Sequence, residues 1–302
     1  MNSHAKRNWT QYNQNLVNRG SLTFWFDEEC LKSWVKQPEG KGRPSFSRTV
    51  IQLGWLLKTV YQLSLRALQG FVQSILKMLG TPLTSPNYTL FCKRAKEAKN
   101  SLPRLSHEQP MEIAIDSSGL KVTGKGEWKV KKHGVGKRRG WIKIHIGVDT
   151  HTQELTTIEV TNEKTADSNV LPNLVEYSAK SLQKVLADGA YDTSHCRKHL
   201  HRLGIQDCIP PRRTGKFREE KEMKERNVAL AISSLIGGGA EGIALWKSAS
   251  GYSKRSLAET AFSRLKRLFG ERLHNKTFNN LSAEVFFRCY VLNRMTRTSN
   301  VK

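Results

Sequence analysis

The stretch YSKRSLAETAFSRLK, residues 252–266, decides how the whole sequence is interpreted. At about 100° per residue, its apolar side chains form one broad stripe that must face a hydrophobic core. A second stripe, spanning roughly 60°, carries Tyr252, Arg255, Glu259 and Lys266. The pattern predicts an amphipathic helix on which a half-sheltered carboxylate lies among cations and a phenol.

This polar row has a structural and a catalytic interpretation. In the structural one, Arg255 and Glu259 form an i to i+4 ion pair worth about 0.3–0.5 kcal/mol. The catalytic one needs further acids, because one carboxylate cannot hold a catalytic metal. Two acids upstream qualify: Asp116 lies within the alternating strand pattern MEIAIDSSGLKV, and Asp188 ends the buried strand pattern QKVLADGAYD.

Composition limits the class of protein. The 302 residues are enough for two domains with a sizeable core, and a net charge of +24 favours a polyanionic partner such as DNA or RNA. The five cysteines show no C-x-x-C pair, which is typical of reduced thiols in a cytosolic protein. No signal peptide or run of 18 apolar residues occurs, so we expect a cytoplasmic protein without a membrane partner.

The first part of the chain, residues 1–105, has helical patterns and no acidic active site. Apolar periodicity predicts helices over residues 47–63 and 65–79. A third, basic helix is expected to begin near Asn87 and to carry Lys93 and Arg94. This order is compatible with a DNA-binding helix-turn-helix, although any three-helix bundle in a basic protein would show it.

From Met111 onward the pattern changes to strands. Three strand patterns, MEIAIDSSGLKV, WIKIHIGVDT and ELTTIEVT, predict an antiparallel meander. A helix follows, then the strand that ends at Asp188, a basic helix, a short strand and the helix of Glu259. This is the order of a ribonuclease H-like sheet, in which the first and fourth strands are neighbours. Asp116 and Asp188 are therefore expected to converge, with Glu259 reaching them from the last of these helices.

The predicted fold class is accordingly α/β. A ribonuclease H-like catalytic domain with a mixed five-stranded sheet would occupy residues 106–302, preceded by an all-helical DNA-binding domain over residues 1–105. The tail helix, residues 280–294, is expected to cover the sheet.

A basic segment separates the first two predicted strands. It interleaves Trp128 and Trp141 with cations that include Lys131, Lys132, Arg138 and Arg139. A solvated hairpin is one interpretation. Cations with aromatic faces among them are better suited to a phosphate backbone and unstacked bases.

Three carboxylates in one cluster repel one another unless a hard divalent cation lies between them, and Mg²⁺ is commonly held in this way beside substrate phosphates. Two such ions can activate a water or a 3′-hydroxyl and stabilise the leaving oxygen during phosphodiester displacement. The sequence therefore predicts two Mg²⁺ ions, with Mn²⁺ as a possible substitute, at Asp116, Asp188 and Glu259.

The spacing Y-x₂-R-x₃-E-x₆-K, from Tyr252 to Lys266, resembles the Y-R-E-K signature of bacterial insertion-sequence transposases of the DDE class. The segments IDSSGLKV and LADGAYD resemble the first two acidic motifs of the insertion sequence five family. SLTFWFD and the GRP-containing segment after it are similar to that family's N-terminal region. The resemblance covers most of the chain.

The resemblance implies that Asp116, Asp188 and Glu259 bind the metal and catalyse strand cleavage and transfer. Arg255 and Lys266 would contact DNA near the scissile phosphate, with Tyr252 beside them. The expected activity is that of a DNA transposase that binds the terminal inverted repeats of its element and joins the cut ends to target DNA. It would act on double-stranded DNA as a homo-oligomer, in association with the bacterial nucleoid.

Two alternatives remain open. The chain could be a DNA-binding regulator or architectural protein whose nuclease-like domain is inactive. It could also be a recombinase that uses Tyr252 as a covalent nucleophile, although the Arg and His companions of such a tyrosine are not evident.

Overall fold

The computed structural model describes residues 8–26, 29–37, 44–100, 102, 111–123, 140–176, 178–212, 215–235 and 237–299. The chain divides into two compact units. The first, unit 1, comprises Met1–Pro103 and Leu273–Lys302, and the second, unit 2, comprises Arg104–Arg272. The chain passes from unit 1 to unit 2 between Pro103 and Arg104, close to the domain boundary predicted near residue 105. The last 30 residues, which were predicted to belong to the catalytic domain, group with the N-terminal segment in unit 1.

Unit 1 is mainly helical. Its described helices are α1 (Trp9–Asn18), α2 (Leu22–Trp25), α3 (Glu29–Lys32), α4 (Arg48–Val60), α5 (Leu65–Met78), α6 (Tyr88–Lys93), α7 (Ala95–Asn100) and, at the end of the chain, a helix over Phe278–Ser299. The predicted starts of three of them coincide with side-chain caps: Ser47, Ser64 and Asn87 each accept a hydrogen bond from the first turn of the helix that follows.

The expectation of an all-helical first domain is wrong in one detail. Strands β1 (Val35–Lys36) and β2 (Ser45–Phe46) form an antiparallel pair on either side of the Gly- and Pro-containing segment. The basic third helix is also shorter than predicted, because α6 ends at Lys93 and α7 begins after Arg94. Nine residues, 79–87, separate α5 from α6, which is longer than the turn of three or four residues typical of a helix-turn-helix.

The terminal helix does not have the predicted partner. Phe278–Ser299 packs against α4 and α7 of unit 1, where Phe287 stacks on Trp55 with ring centroids 5.7 Å apart. Both side chains are fully buried. The prediction that this helix covers the sheet was based on its amphipathic pattern, which fixes the buried face of a helix but not the element that covers it.

Unit 2 is built on a mixed sheet. Its strands are β3 (Glu112–Val122), β4 (Trp141–Asp149), β5 (Leu155–Asn162), β6 (Lys184–Leu186) and β7 (Gln206–Cys208), in the order β5-β4-β3-β6-β7. The first three form the predicted antiparallel meander, and β6 and β7 are parallel to β3. A sixth strand, β8 (Arg272–Leu273), also pairs with β3, so the predicted count of five strands was one too few.

Helices and 3-10 turns connect the strands of unit 2. The helices are α8 (Leu171–Glu176), α9 (Ser194–Arg202), α10 (Lys224–Leu235), α11 (Gly239–Ser250) and α12 (Ser256–Phe269), and the 3-10 turns are Asp167–Asn169, Gly189–Tyr191, Lys221–Met223 and Tyr252–Arg255. With the terminal helix numbered α13, the strands of unit 2 and the helices α8, α9 and α12 follow the predicted order, and α10 and α11 lie between β7 and α12. One core cluster of this unit includes Ile113, Leu174, Val185 and Leu200, from a central strand pair and two helices.

The predicted helix over residues 252–266 is divided. Tyr252–Arg255 forms a 3-10 turn that follows the left-handed Gly251, and α12 begins only at Ser256. The stripe prediction therefore holds for Glu259 and Lys266 but not for the angular positions of Tyr252 and Arg255.

No helix in the described part of the chain is both long enough and apolar enough to cross a membrane.

Candidate active site

Asp116 lies in the middle of β3, opposite Ile146 of β4. Its side chain is 18% exposed, and its Oδ1 accepts a hydrogen bond of 2.8 Å from the backbone N–H of Ser117. Burial raises the pKa of Asp116; the Ser117 N–H and Arg255 oppose that rise, and Asp188 and Glu259 add to it. Asp116 is thus a sheltered carboxyl group with two other acids near enough to affect its ionisation.

Asp188 follows β6, two residues beyond the last residue of that strand. Because Ala114 of β3 pairs in parallel with Leu186 of β6, continuing the register by two residues places Asp188 opposite Asp116. The Asp188 side chain accepts a 2.9 Å hydrogen bond from the Ala190 N–H and caps the 3-10 turn that follows. This confirms the expectation that the strands of these two aspartates lie side by side.

Arg255 is the side chain that joins the acids. Its Nη1 donates to Asp116 Oδ2 at 3.3 Å, and its Nη2 forms an ion pair with Glu259 Oε1. The Arg255 side chain is 19% exposed, whereas that of Glu259 is 54% exposed. The sequence predicted the local pair with Glu259. The contact with Asp116, 139 positions away, could not be read from helical spacing.

Tyr252 lies beneath this arginine. It is 9% exposed, and its ring is 5.7 Å from that of Trp246 and 5.8 Å from the Arg255 guanidinium carbon. Burial raises the pKa of Tyr252 to about 12, so the phenol remains protonated at neutral pH. A buried, protonated phenol is suited to supporting Arg255 and poorly suited to attack as a nucleophile.

Lys266 is separate from this group. It is half-buried on α12, seven residues after Glu259, or about 10 Å along a helix. Its charge acts on Glu271 instead. Lys121 lowers the pKa of Glu271 most, and Lys266 lowers it further. The structure therefore brings together Asp116, Arg255 and Glu259 but not Lys266.

The three acids fit a hard divalent cation by donor type, since carboxylate oxygens are the ligands that Mg²⁺ prefers. Their mutual effect on the pKa of Asp116 also means that added positive charge would be favourable. Within the described residues, however, no three His, Cys, Asp or Glu side chains are grouped closely enough to hold a metal. In this arrangement the positive charge between Asp116 and Glu259 is that of Arg255.

The other predicted DNA contacts have different outcomes. Lys131, Lys132, Arg138 and Arg139 lie outside the described residues. Lys93 is exposed at the end of α6.

Arg94 makes internal bonds, donating to the Phe46 carbonyl at 2.6 Å and to Glu97 at 2.6 and 2.7 Å. These bonds join β2 to α7, a structural role that the sequence did not indicate.

A buried ion network near Asp188 was also missed. Arg197 is fully buried on α9 and bonds to Asp192 at 2.9 Å, to Asp207, and to the Ile209 carbonyl at 3.0 Å. The network connects the segment after Asp188 to β7 and its following loop. The sequence showed only a basic helix there, and the one local signal was the apolar Cys196 and Leu200 beside this arginine.

Solved structures of two DNA-processing assemblies show weak similarity. A chain of the simian T-cell lymphotropic virus intasome, in complex with PP2A regulatory subunit B56 gamma, is 13% identical, covers 61% of this chain and 68% of its own length, and has a TM-score of 0.24. A chain of the Drosophila P element transposase strand transfer complex is 14% identical, covers 91% of this chain and 70% of its own length, and has a TM-score of 0.30.

Family comparison is more decisive. Two family models, both described as Transposase DDE domain, match residues 17–125 and residues 107–294. The second match includes the positions of Asp116, Asp188 and Glu259, and it spans more than half of the chain. This chain therefore belongs to the transposases with a DDE domain, and it is a DDE transposase enzyme.

Proposed function

We propose that this transposase binds the terminal inverted repeats of its own element, cleaves the element ends, and joins the freed 3′-hydroxyls to target DNA. Asp116, Asp188 and Glu259 are the proposed catalytic metal ligands. The observation that carries the proposal is the contact of one guanidinium group, that of Arg255, with both Asp116 and Glu259, at a point where Asp188 also raises the pKa of Asp116.

The proposed cofactor is Mg²⁺, two ions per site, with Mn²⁺ as a substitute. Bound to the three carboxylates, these ions would activate a water or 3′-hydroxyl and stabilise the leaving oxygen. When a phosphate enters, Arg255 is placed to exchange part of its carboxylate pairing for the phosphate oxygens, because a guanidinium binds both groups through the same planar donors. The buried Tyr252 ring would limit the movement of this arginine.

Other parts of the chain have proposed roles in binding. The helices of unit 1, including the exposed Lys93, would contact the repeats, and the basic segment with Lys131, Lys132, Arg138 and Arg139 would contact the backbone. Lys266 would bind DNA farther along α12. Because two element ends must be joined, the active form would be at least a dimer on DNA. In a bacterial cell it would act at the nucleoid.

The test is strand cleavage on DNA carrying candidate terminal repeats, with Mg²⁺ and mapped breaks. Asp116→Asn and Glu259→Gln should each abolish cleavage while DNA binding is retained. Glu241→Gln is the matched control, because Glu241 is an exposed acid on α11 and its loss changes the net charge equally. Wild-type cleavage by either site variant would refute the metal-ligand assignment. Binding without cleavage by the wild-type chain would favour the inactive-regulator alternative.

A further inference from the structure

A cavity of about 560 Å³ lies in unit 2, and none of the three proposed catalytic acids lines it. Its walls include four cations and one carboxylate, which are Arg212, Lys216, Arg218, Arg226 and Asp192. Since the carboxylate is itself in contact with Arg226, at 3.3 Å, the cavity carries an excess of positive charge. Such a cavity is suited to an anionic ligand.

The cavity wall is held by internal hydrogen bonds of its backbone. Arg226, 7% exposed in its side chain, donates from Nη1 to the Lys216 carbonyl at 2.6 Å. Asp192 Oδ2 accepts from the backbone N–H of Arg212 at 2.8 Å. Arg226 and Asp192 thus fix the backbone, while the side chains of Arg212 and Lys216 remain exposed. Because the backbone is already fixed, only the side chains of these cations would lose conformational freedom when they bind a ligand.

Arg218 adds a third exposed cation beside the first turn of α9. Its backbone N–H donates to Asn227 Oδ1 at 3.2 Å, and its Nη1 donates to Ser194 Oγ at 2.7 Å. The first turn of α9 contains no acidic residue. The helix N-terminus therefore adds to the positive potential of the three side chains, and the nearby carboxylate of Asp192 is already paired with Arg197 and Arg226.

The cavity lies at the catalytic edge of the sheet. Strands β6 and β7 are parallel, so their carboxyl ends meet at one edge. Asp188 follows β6, and the segment with Arg212 follows β7. Asp192, which lines the cavity, is four residues after Asp188, a distance of at most about 14 Å for an extended chain. A single DNA strand could therefore reach from one to the other within a few nucleotides.

An exposed aromatic ring lies among these cations. Phe217, between Lys216 and Arg218 in the chain, is 61% exposed and also lines the cavity. Duplex DNA buries its base faces, whereas an unpaired strand can stack a base on an aromatic ring while cations hold its phosphates. We infer that this cavity binds the phosphates of an unpaired DNA strand next to the cleavage site, with one base stacked on Phe217. The inference rests on the proposed function and names a further binding site for its substrate.

The phosphate contacts can be measured by the salt dependence of DNA binding. The probes are a duplex with a single-stranded tail and the same duplex with blunt ends. Lys216→Gln and Arg218→Gln should each reduce the salt slope for the tailed probe by about 0.7, and weaken its binding by about fivefold near 0.1 M salt. Lys180→Gln is the matched control, since Lys180 is exposed and precedes β6, at the opposite edge of the sheet. Equal slopes for all three variants would overturn the inference.

The stacked base has a separate readout. A 2-aminopurine in the tail should be quenched on binding to the wild-type chain and to Phe217→Trp, but not to Phe217→Ala. Phe217→Ala should also bind the tailed probe at least about fivefold more weakly, with no change for the blunt duplex. Retained quenching in Phe217→Ala, or equal weakening with both probes, would contradict stacking on this ring.

These experiments are independent of catalysis. They measure binding alone, so each cavity substitution can be combined with Asp116→Asn, which is expected to prevent cleavage of the probe. If the cavity variants bind normally while Asp116→Asn still abolishes cleavage in the earlier assay, the cavity inference fails and the proposed function stands. If Asp116→Asn cleaves normally, the catalytic proposal fails whatever the cavity binds.

Discussion

Replacing Arg255 with Gln should strengthen the binding of divalent metal to the free protein. Arg255 is the cation shared by Asp116 and Glu259, and a metal that takes these carboxylates as ligands must displace at least part of its bonding. Gln keeps much of the side-chain length but removes the charge. The two acids then have one competitor fewer and a greater need for positive charge.

The size of the effect follows from the exposure of each contact. The contact with Glu259 lies on a helix surface, with Glu259 54% exposed, and is worth about 0.3–0.5 kcal/mol. The contact with Asp116 joins two side chains that are 19% and 18% exposed, and a hydrogen bond between charged groups contributes about 1.5–3 kcal/mol. If half of this second contribution is lost on metal binding in the wild type, the dissociation constant of Arg255→Gln for the metal should be lower by about four- to twelvefold.

The measurement is titration calorimetry with Mn²⁺ in the absence of DNA. Arg267→Gln is the control, because Arg267 is an exposed cation near the end of the same helix. Arg255→Gln should bind Mn²⁺ more tightly than both the wild type and this control, yet cleave DNA more slowly, since the guanidinium no longer reaches the phosphate. Unchanged or weaker Mn²⁺ binding in Arg255→Gln would refute the view that arginine and metal compete for the same carboxylates.

Three further predictions concern stability, each measured as the free energy of unfolding in urea. His145 is fully buried, and burial lowers its pKa from 6.5 to about 4. Between these two pH values only the unfolded chain takes up a proton, so lowering the pH favours unfolding of the wild type. The free energy of unfolding of the wild type, relative to that of His145→Gln, should be largest above pH 6.5 and should fall by about 2.5 kcal/mol as the pH is lowered toward 4. An unchanged difference between the two proteins from pH 7.5 to 4.5 would contradict a neutral buried imidazole. Gly54→Ala should lower the free energy of unfolding by about 1–3 kcal/mol, since the added Cβ would lie 2.2 Å from the Phe91 ring. Gly70→Ala, with no atom within 4 Å of its Cβ, should raise it by about 0.5–1 kcal/mol, because alanine favours the helix α5. Equal effects of the two substitutions would show that packing against Phe91 does not limit the residue at position 54. Arg197→Met should cost about 3–5 kcal/mol because it leaves two buried carboxylates without their shared cation, and a loss below about 1 kcal/mol would mean that these acids are protonated or rehydrated in the variant.

Much of the secondary structure could be predicted because its causes are local. Three helices were expected to begin at residues 47 and 65 and near residue 87, and Ser47, Ser64 and Asn87 each accept a hydrogen bond from the helix that follows. The alternation of apolar residues gave the strands β3, β4 and β5 nearly to their ends. The positions of Asp116 within a strand and Asp188 just after one followed from the same patterns.

The departures from prediction depend on packing and bonding partners that the periodicity of the sequence does not identify. The helix of residues 252–266 is interrupted at Ser256 because Tyr252 is buried against Trp246, which fixes the preceding turn. The terminal helix packs in unit 1, since periodicity cannot identify which apolar surface will cover it. Arg94 donates to the Phe46 carbonyl and to Glu97, and the sequence did not indicate these contacts.

The sequence by itself determined the excess of positive charge, and it indicated the strands β3 to β7, several helix starts and three candidate acids, because each depends on residue type or on short, regular spacing. Only the tertiary structure decided that Arg255 lies between Asp116 and Glu259, and that a cationic cavity opens beside the Asp188 loop. The reason is physical: a charged side chain takes whichever partner the fold brings within hydrogen-bonding distance, and that distance is set by sheet register and helix packing across more than a hundred residues.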